Sequence, residues 1–591
     1  MLFAAAIGSA GASPLGVPGT HGGVVATTER TAAQAGAEVL RNGGNAIDAA
    51  AAVAFALNVV EPQSSGIGGG GFTVIYLADQ NRTVTVDSRE AAPAAASPDM
   101  FVPFTRSNGG GFPVASTSGL AVGVPGMVRG VALMLDRWGT MSFQDVLQPA
   151  IRLAANGFRV SKRLEQSIRS PRLGNEIGNP AYDEARKVFR PDGKPLEAGD
   201  RLVQPALAGT LRLLAEQGPD AFYSGKLAKA IVATQKATRG DAPAGAGRMA
   251  LDDLKGYEAH VRPPVTGKYR GVTLKGMGPP SSGGLTALEI LKLMERFPLG
   301  DAEAGFGFGQ PRTLNTMVEA MRLAFADRAV WMGDSDFVPV PAAGLLSEPY
   351  IERRSSLIDP DKRRQNVQAD DPRPYDAALR DGDETLAAVR PHPRKGRNTT
   401  HFTVVDAQGN IVSYTNTVES AWGTGLMVPG YGFLLNNELT DFNFVPTADS
   451  DPEHYNPGAN DVAPGKRPRS SICPVILFQG DTPVAAYGSP GGSTIINSVV
   501  NVTVNLIDHG MSIQHAVDAP RISQTSADGS ISREIGFDRE SVLRLEKLGH
   551  EVRFPREIGS VQAIVVDPRD GTRYGAADRR RTGSVINVEP K

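Results

Sequence analysis

Hydrophobic and polar positions along the chain repeat with two different periods, and the changes between them mark out the predicted elements. Residues 31–41 carry apolar side chains at helical spacing and stop at Gly43 and Gly44. Asn45 is positioned to cap a second, alanine-rich helix running to about Val60. Residues 72–78 and 83–87 have the composition and alternation of strands. Between residues 359 and 397 neither period survives, and the segment is rich in Asp, Arg, Lys and Pro. Strand patterning returns at 401–406, breaks at a turn over 406–410 and resumes over 411–418. Farther on, 472–478 and 483–487 read as strands, 488–492 as a glycine-rich loop and 495–508 as a helix.

The two strands around the 406–410 turn fix a register. Gly409 tolerates the left-handed conformation that closes a tight hairpin. Pairing about Gln408 sets Thr399 opposite Thr417, hydroxyl near hydroxyl. A Thr at the start of a strand is, on spacing alone, an ordinary β-branched strand residue. It gains a second use when the bond before it is cut, because an N-terminal Thr carries its own base. That α-amine has a reference pKa of about 7.7–8.0, so a useful fraction is neutral near physiological pH. The polar segment upstream makes the Asn398–Thr399 bond a candidate for such a cut, made by the Thr399 hydroxyl on the Asn398 carbonyl.

Motifs on both sides of this point resemble those of the gamma-glutamyltranspeptidase family. In the first half they are residues 43–50, 68–72, 87–93 and 279–284. In the second they are 399–406, Gly423-Thr424-Gly425, 434–437, Asp441-Phe442, Lys466-Arg467-Pro468 with Ser470-Ser471, and 488–493. The likeness runs from about residue 22 to about residue 590 and is weakest over 359–397. It implies an α/β fold, the N-terminal nucleophile hydrolase αββα sandwich, with two stacked sheets flanked by helices. The resemblance also implies two chains formed by self-cleavage. A signal-like or disordered 1–20 would precede a large chain over 21–398, with a flexible tail from about 359, and a small catalytic chain over 399–591.

Carried over position by position, the resemblance makes Thr399 the nucleophile and Thr417 its orienting partner. Gly491 and Gly492 become the backbone donors to a tetrahedral oxyanion, since Pro490 has no N–H to give. Arg89, Ser470 and Ser471 match the groups that hold the α-carboxylate of a γ-glutamyl donor, and Asp441 the carboxylate that holds its α-ammonium. Glu419 stands where many members have Asn, and Glu438 where some have Gln. Three carboxylates around one ammonium favour a γ-glutamyl over a plain glutaryl acyl group, and like charges so close raise the pKa of one of them. Tyr455, in the polar stretch 442–465, is the candidate to close a lid; a surface loop with a solvated Tyr is the other reading. The implied activity moves the γ-glutamyl group of glutathione and related amides to water, amino acids or peptides through an ester on Thr399. A glutaryl-cephalosporin acylase and a catalytically dead secreted binding protein are the alternatives.

Composition narrows the rest. At 591 residues, with 41% hydrophobic and 21% charged positions, the chain is long enough to bury a substantial core. A formal charge of −2 without a basic block gives no attraction to nucleic acid or anionic lipid. The single Cys473 lies in the apolar stretch 472–478 and reads as buried, and the histidines lack metal-ligand spacing, so neither metal nor cofactor is expected. The glycines at 68–71 invite a phosphate-loop reading, but no Lys follows and the next element is a strand; a backbone turn beside the active site is predicted instead. Residues 2–12 are small and apolar, and Ala10-Gly11-Ala12 fits a signal-peptidase site, although no Lys or Arg precedes it. A periplasmic or secreted protein without a membrane anchor is expected.

Overall fold

The predicted strands form the middle of the molecule. The computed structural model describes residues 19–105, 111–170, 182–236, 245–379 and 398–590. Its principal strands are β1 (Gly23–Thr27), β2 (Gly70–Leu77), β3 (Arg82–Ser88), β4 (His260–Arg262), β5 (Val265–Tyr269), β6 (Val272–Gly276), β7 (Thr399–Val405), β8 (Ile411–Thr417), β9 (Val475–Gln479), β10 (Thr482–Gly488), β11 (Gln562–Val566), β12 (Arg573–Ala577) and β13 (Ser584–Val588). They build two antiparallel sheets, ordered β13-β1-β7-β8-β2-β3-β4 and β12-β11-β10-β9-β6-β5.

Strand alternation sorts the first sheet between two cores. Val25, Ile75, Val86, Phe402, Val404 and Val412 pack on helices α1 (Arg30–Arg41) and α2 (Ala46–Val60), with α3 (Lys162–Ile168) farther out. Val24, Ala26, Phe72, Val74, Val405 and Ile411 face the second sheet. That sheet is covered in turn by α4 (Gly283–Met294), α5 (Pro311–Trp331) and α6 (Thr494–Ile507). The result is the four-layer αββα sandwich, as expected.

The β7–β8 hairpin is pinned at its far end by the start of α2. Asn45 caps that helix by accepting from Ile47 N (2.9 Å) and Asp48 N (3.1 Å), while Asp48 accepts from Asn45 N at 2.8 Å. Asp406, in the hairpin turn, accepts from the Ala46 backbone N–H at 2.9 Å, a carboxylate at a helix N-terminus. The turn closes as predicted, with Gly409 at φ 91°.

Residues 359–379, expected as the beginning of a flexible tail, are laid along α5 instead. Asn315 Nδ2 donates to the carbonyls of Asp359 (3.0 Å), Pro360 (3.1 Å) and Lys362 (2.9 Å), and Trp331 Nε1 donates to Asp370 O at 2.8 Å. Hydrogen bonds to its backbone are joined by a few scattered apolar anchors, Val367, Ala369 and Tyr375, whose spacing gives no regular hydrophobic period. The remainder of the expected tail, 380–397, and the signal-like residues 1–18 lie outside the described residues. Among the described residues no helix is long and apolar enough to cross a membrane.

Candidate active site

The hairpin sets Thr399 and Thr417 directly opposite each other, in the predicted register. Both face the second sheet, and their hydroxyl oxygens are 3.2 Å apart. Thr417 Oγ1 donates to the carbonyl of Asn398 (2.9 Å) and accepts from the backbone N–H of Glu419 (2.8 Å). A hydroxyl has one proton and two lone pairs, so the lone pair that remains is the one available to the Thr399 hydroxyl. Thr417 is therefore placed to hold the Thr399 hydroxyl and to polarise the carbonyl beside it at the same time. Glu419 returns its N–H to this hydroxyl by adopting φ 76°, a left-handed conformation uncommon for a side chain of this kind.

Arg89, Thr399, Thr417, Glu419, Glu438, Asp441, Ser470, Ser471 and Gly492 line one small pocket, with Ile472 and Ile495 as its apolar wall. They come from separate parts of the chain. Arg89 follows β3, Glu438 and Asp441 sit on one short turn (Glu438–Asp441), and the serines lie just ahead of β9. Arg89 is buried and gives one guanidinium nitrogen to Glu438 and another to Asp441 at 2.6 Å. Glu419 is bound by Asn437 Nδ2 and by Ser420 Oγ, the latter at 2.5 Å. Ser471 Oγ accepts from Arg328 Nη2 at 2.8 Å.

Gly491 is not among the residues lining the pocket, although it belongs to the same loop. That loop is braced at both ends: Ser489 Oγ accepts from Ser560 N at 2.9 Å, and Thr494 Oγ1 donates to Gly491 O at 2.9 Å. Gly491 lies at φ 141°, where an added Cβ would come 2.6 Å from Thr494 Oγ1. Tyr455 is the lid candidate. It does not line the pocket but packs on Trp331 (6.3 Å between ring centres), with the Arg373 guanidinium 4.6 Å from its ring. The loop around it is folded on Asp461, which accepts from Thr447 N (2.7 Å), Ala448 N (2.8 Å) and Asn443 Nδ2 (2.7 Å).

Charge in the pocket is unbalanced. Burial works against the Arg89 guanidinium, but Glu438, Asp441 and Glu90 outweigh it and hold its pKa above the ordinary value. One guanidinium cannot hold three buried carboxylates ionised. Burial pushes Glu438 well above the carboxylate range, with Glu90, Asp441 and Glu419 adding to the effect. Glu90 rises to about 8 for the same first reason, against the pull of Arg89.

Sequence reading missed Glu90, Glu61, Arg163, Arg328 and Arg581. Arg581 Nη1 donates to Thr399 O at 2.7 Å, and Arg163 Nη2 to Asn398 Oδ1 at 3.0 Å. Arg581 closes a run of three arginines, and nothing in the local pattern separates it from its neighbours.

Comparison with known proteins agrees with this geometry. The chain matches the family description Gamma-glutamyltranspeptidase over residues 32–588. It belongs to the gamma-glutamyltranspeptidase family. As an enzyme of this family it is 42% identical to a glutathione hydrolase proenzyme of Bacillus subtilis (strain 168), over 96% of this chain and 92% of that one. It is 38% identical to the Escherichia coli (strain K12) protein of the same description, over 94% and 90% of the two chains. Among solved structures it is similar to a cephalosporin acylase from Bacillus halodurans, with TM-score 0.80, 27% identity and 98% of each chain covered. The Gly68–Gly71 run finds its reason here too. Added Cβ atoms at Gly69 and Gly71 would lie 2.0 Å from Thr417 O and 2.2 Å from Thr415 O, so these glycines let β2 approach β8.

Proposed function

We propose that this gamma-glutamyltranspeptidase is made as a proenzyme that cuts itself between Asn398 and Thr399 and then transfers γ-glutamyl groups through an ester on Thr399. The observation that carries the reading is the Thr417 hydroxyl, which donates to the Asn398 carbonyl beside the Thr399 hydroxyl. The Thr399 hydroxyl attacks that carbonyl and the Asn398–Thr399 C–N bond breaks, which moves the acyl group to oxygen and frees the Thr399 amine as a base; water then opens the ester, releasing the Asn398 carboxylate and the Thr399 hydroxyl. The mature hydroxyl then attacks the γ-carbonyl of glutathione or a related amide. Backbone N–H groups at Gly491 and Gly492 stabilise the oxyanion. Water, or the amine of an amino acid or peptide, resolves the ester.

In the donor complex the α-carboxylate replaces carboxylate contacts on Arg89 and meets Ser470 and Ser471. The α-ammonium meets Glu419, Glu438 and Asp441. Export to the periplasm or medium is supported by the small, apolar residues 2–12. Intact mass measurement after incubation at neutral pH tests the cut: two chains, the smaller beginning at Thr399, are expected, and one chain in Thr399→Ala. A wild-type chain that stays whole, or amide release by the variant, overturns the reading.

The acylase reading keeps one observation in its favour. The chain is 37% identical to an acylase ACY 1 proenzyme of Pseudomonas sp. (strain SE83), over 96% of this chain and 93% of that one. Matched γ-glutamyl and glutaryl amides decide between them. Three carboxylates at the α-position predict preference for the γ-glutamyl amide, and a clear preference for glutaryl would reverse the assignment.

A further inference from the structure

The Asn398–Thr399 peptide is held at more points than the chemistry above uses. Asn398 N donates to Glu419 O at 3.2 Å, and Asn398 O accepts from Thr417. The Asn398 side chain is held separately, through its Oδ1, by Arg163 on α3. Arg163 is seated in turn: its Nε lies 3.6 Å from Oε1 of Glu61, the buried residue that ends α2. The other Glu61 oxygen accepts from Thr28 Oγ1 at 2.7 Å and from Thr400 Oγ1 at 2.9 Å. One ion pair thus ties the residue before the nucleophile to the residue after it.

We propose that Arg163, seated by Glu61, is a positioning residue for self-cleavage that reads the side chain of Asn398. The proposal rests on the reading that the Asn398–Thr399 bond is the one cut. The attacked carbon belongs to Asn398, the last residue before the hairpin, and its approach to Thr399 Oγ1 depends on that residue's rotation. Thr400 is fixed by strand pairing and by Glu61, so a guanidinium anchored on Glu61 holds Asn398 in the frame of the strand. A hydrogen bond from a charged donor is roughly twice as strong as a neutral one, and fixed geometry of this kind acts on rate. Arg163 touches no reacting atom and takes no proton.

A double-mutant cycle tests this, with the small chain's appearance followed by intact mass after cell-free synthesis. Arg163→Met and Asn398→Ala are each expected to slow cleavage about tenfold or more. The double variant should be no slower than the slower single, and Arg163→Lys should recover part of the rate. Wild-type cleavage rates in Arg163→Met, or slowdowns that multiply in the double variant, would overturn the proposal. Asn398→Ala keeps the test decisive should Arg163→Met fail to fold, because a wild-type rate there overturns it as well. A wild-type chain that is cut elsewhere, or not at all, instead sinks the reading beneath.

Discussion

The Thr417 hydroxyl spends its one proton on the Asn398 carbonyl and a lone pair on Glu419 N–H, which leaves a single direction for Thr399. Thr417→Ala removes both the orienting acceptor and the donor to the attacked carbonyl. Loss of one such donor costs about a hundredfold in rate. Self-cleavage of Thr417→Ala should slow by about that factor, while Thr417→Ser, which keeps the hydroxyl, stays close to wild type; a time course of small-chain formation measures both. This pair was legible in the sequence, because Gly409 and the strand period fix the register. Arg163 and Glu61 were not, since their partners lie 235 and 339 residues away along the chain.

At the scale of elements, the hairpin is inserted between β1 and β2, so its strands are hydrogen-bonded on both sides to strands that precede residue 398. The proposed cut before Thr399 would break one peptide bond and leave those ladders intact. The glycines of 68–71 make the contact possible. Gly69→Ala would drive its Cβ against Thr417 O, and overpacking of this kind costs about 1–3 kcal/mol. A lower melting temperature and slower cleavage are expected together, because the displaced carbonyl belongs to Thr417 itself. The 359–379 segment was the least legible element, since hydrogen bonds from α5 to the carbonyls at its start and a few irregularly spaced anchors such as Val367 and Tyr375 leave no period in the sequence.

Over the whole molecule, buried titrating groups shape stability against pH, and His401 and Glu90 are two that pull in opposite directions. His401 lies between the sheets, where burial lowers its pKa from 6.5 to about 3. Its contribution is present above pH 6.5 and is lost as pH falls toward 3. Glu90 is raised from 4.5 to about 8, so its contribution is present below pH 4.5 and is lost as pH rises toward 8. Between 4.5 and 6.5 the two oppose each other. Above 6.5 the Glu90 loss continues without that opposition, in the same direction as that of the other buried carboxylates with raised pKa, Glu29 and Glu438. Melting temperatures of the uncut Thr399→Ala chain should therefore fall from pH 6.5 to 8. Adding Glu90→Gln should flatten that limb, and an unchanged slope would rule Glu90 out as its source.

The sequence by itself determined the layered α/β class, the hairpin register, the family and most of the residues that line the pocket. Each of these is written in local period, turn chemistry or ordered motifs. Tertiary structure alone decided how Arg89 is shared between Glu438 and Asp441, that Tyr455 packs on Trp331, and that Arg163 joins the Asn398 side chain to Glu61. Those contacts join charged groups from distant segments, and their strength depends on burial and distance, which no stretch of sequence encodes locally.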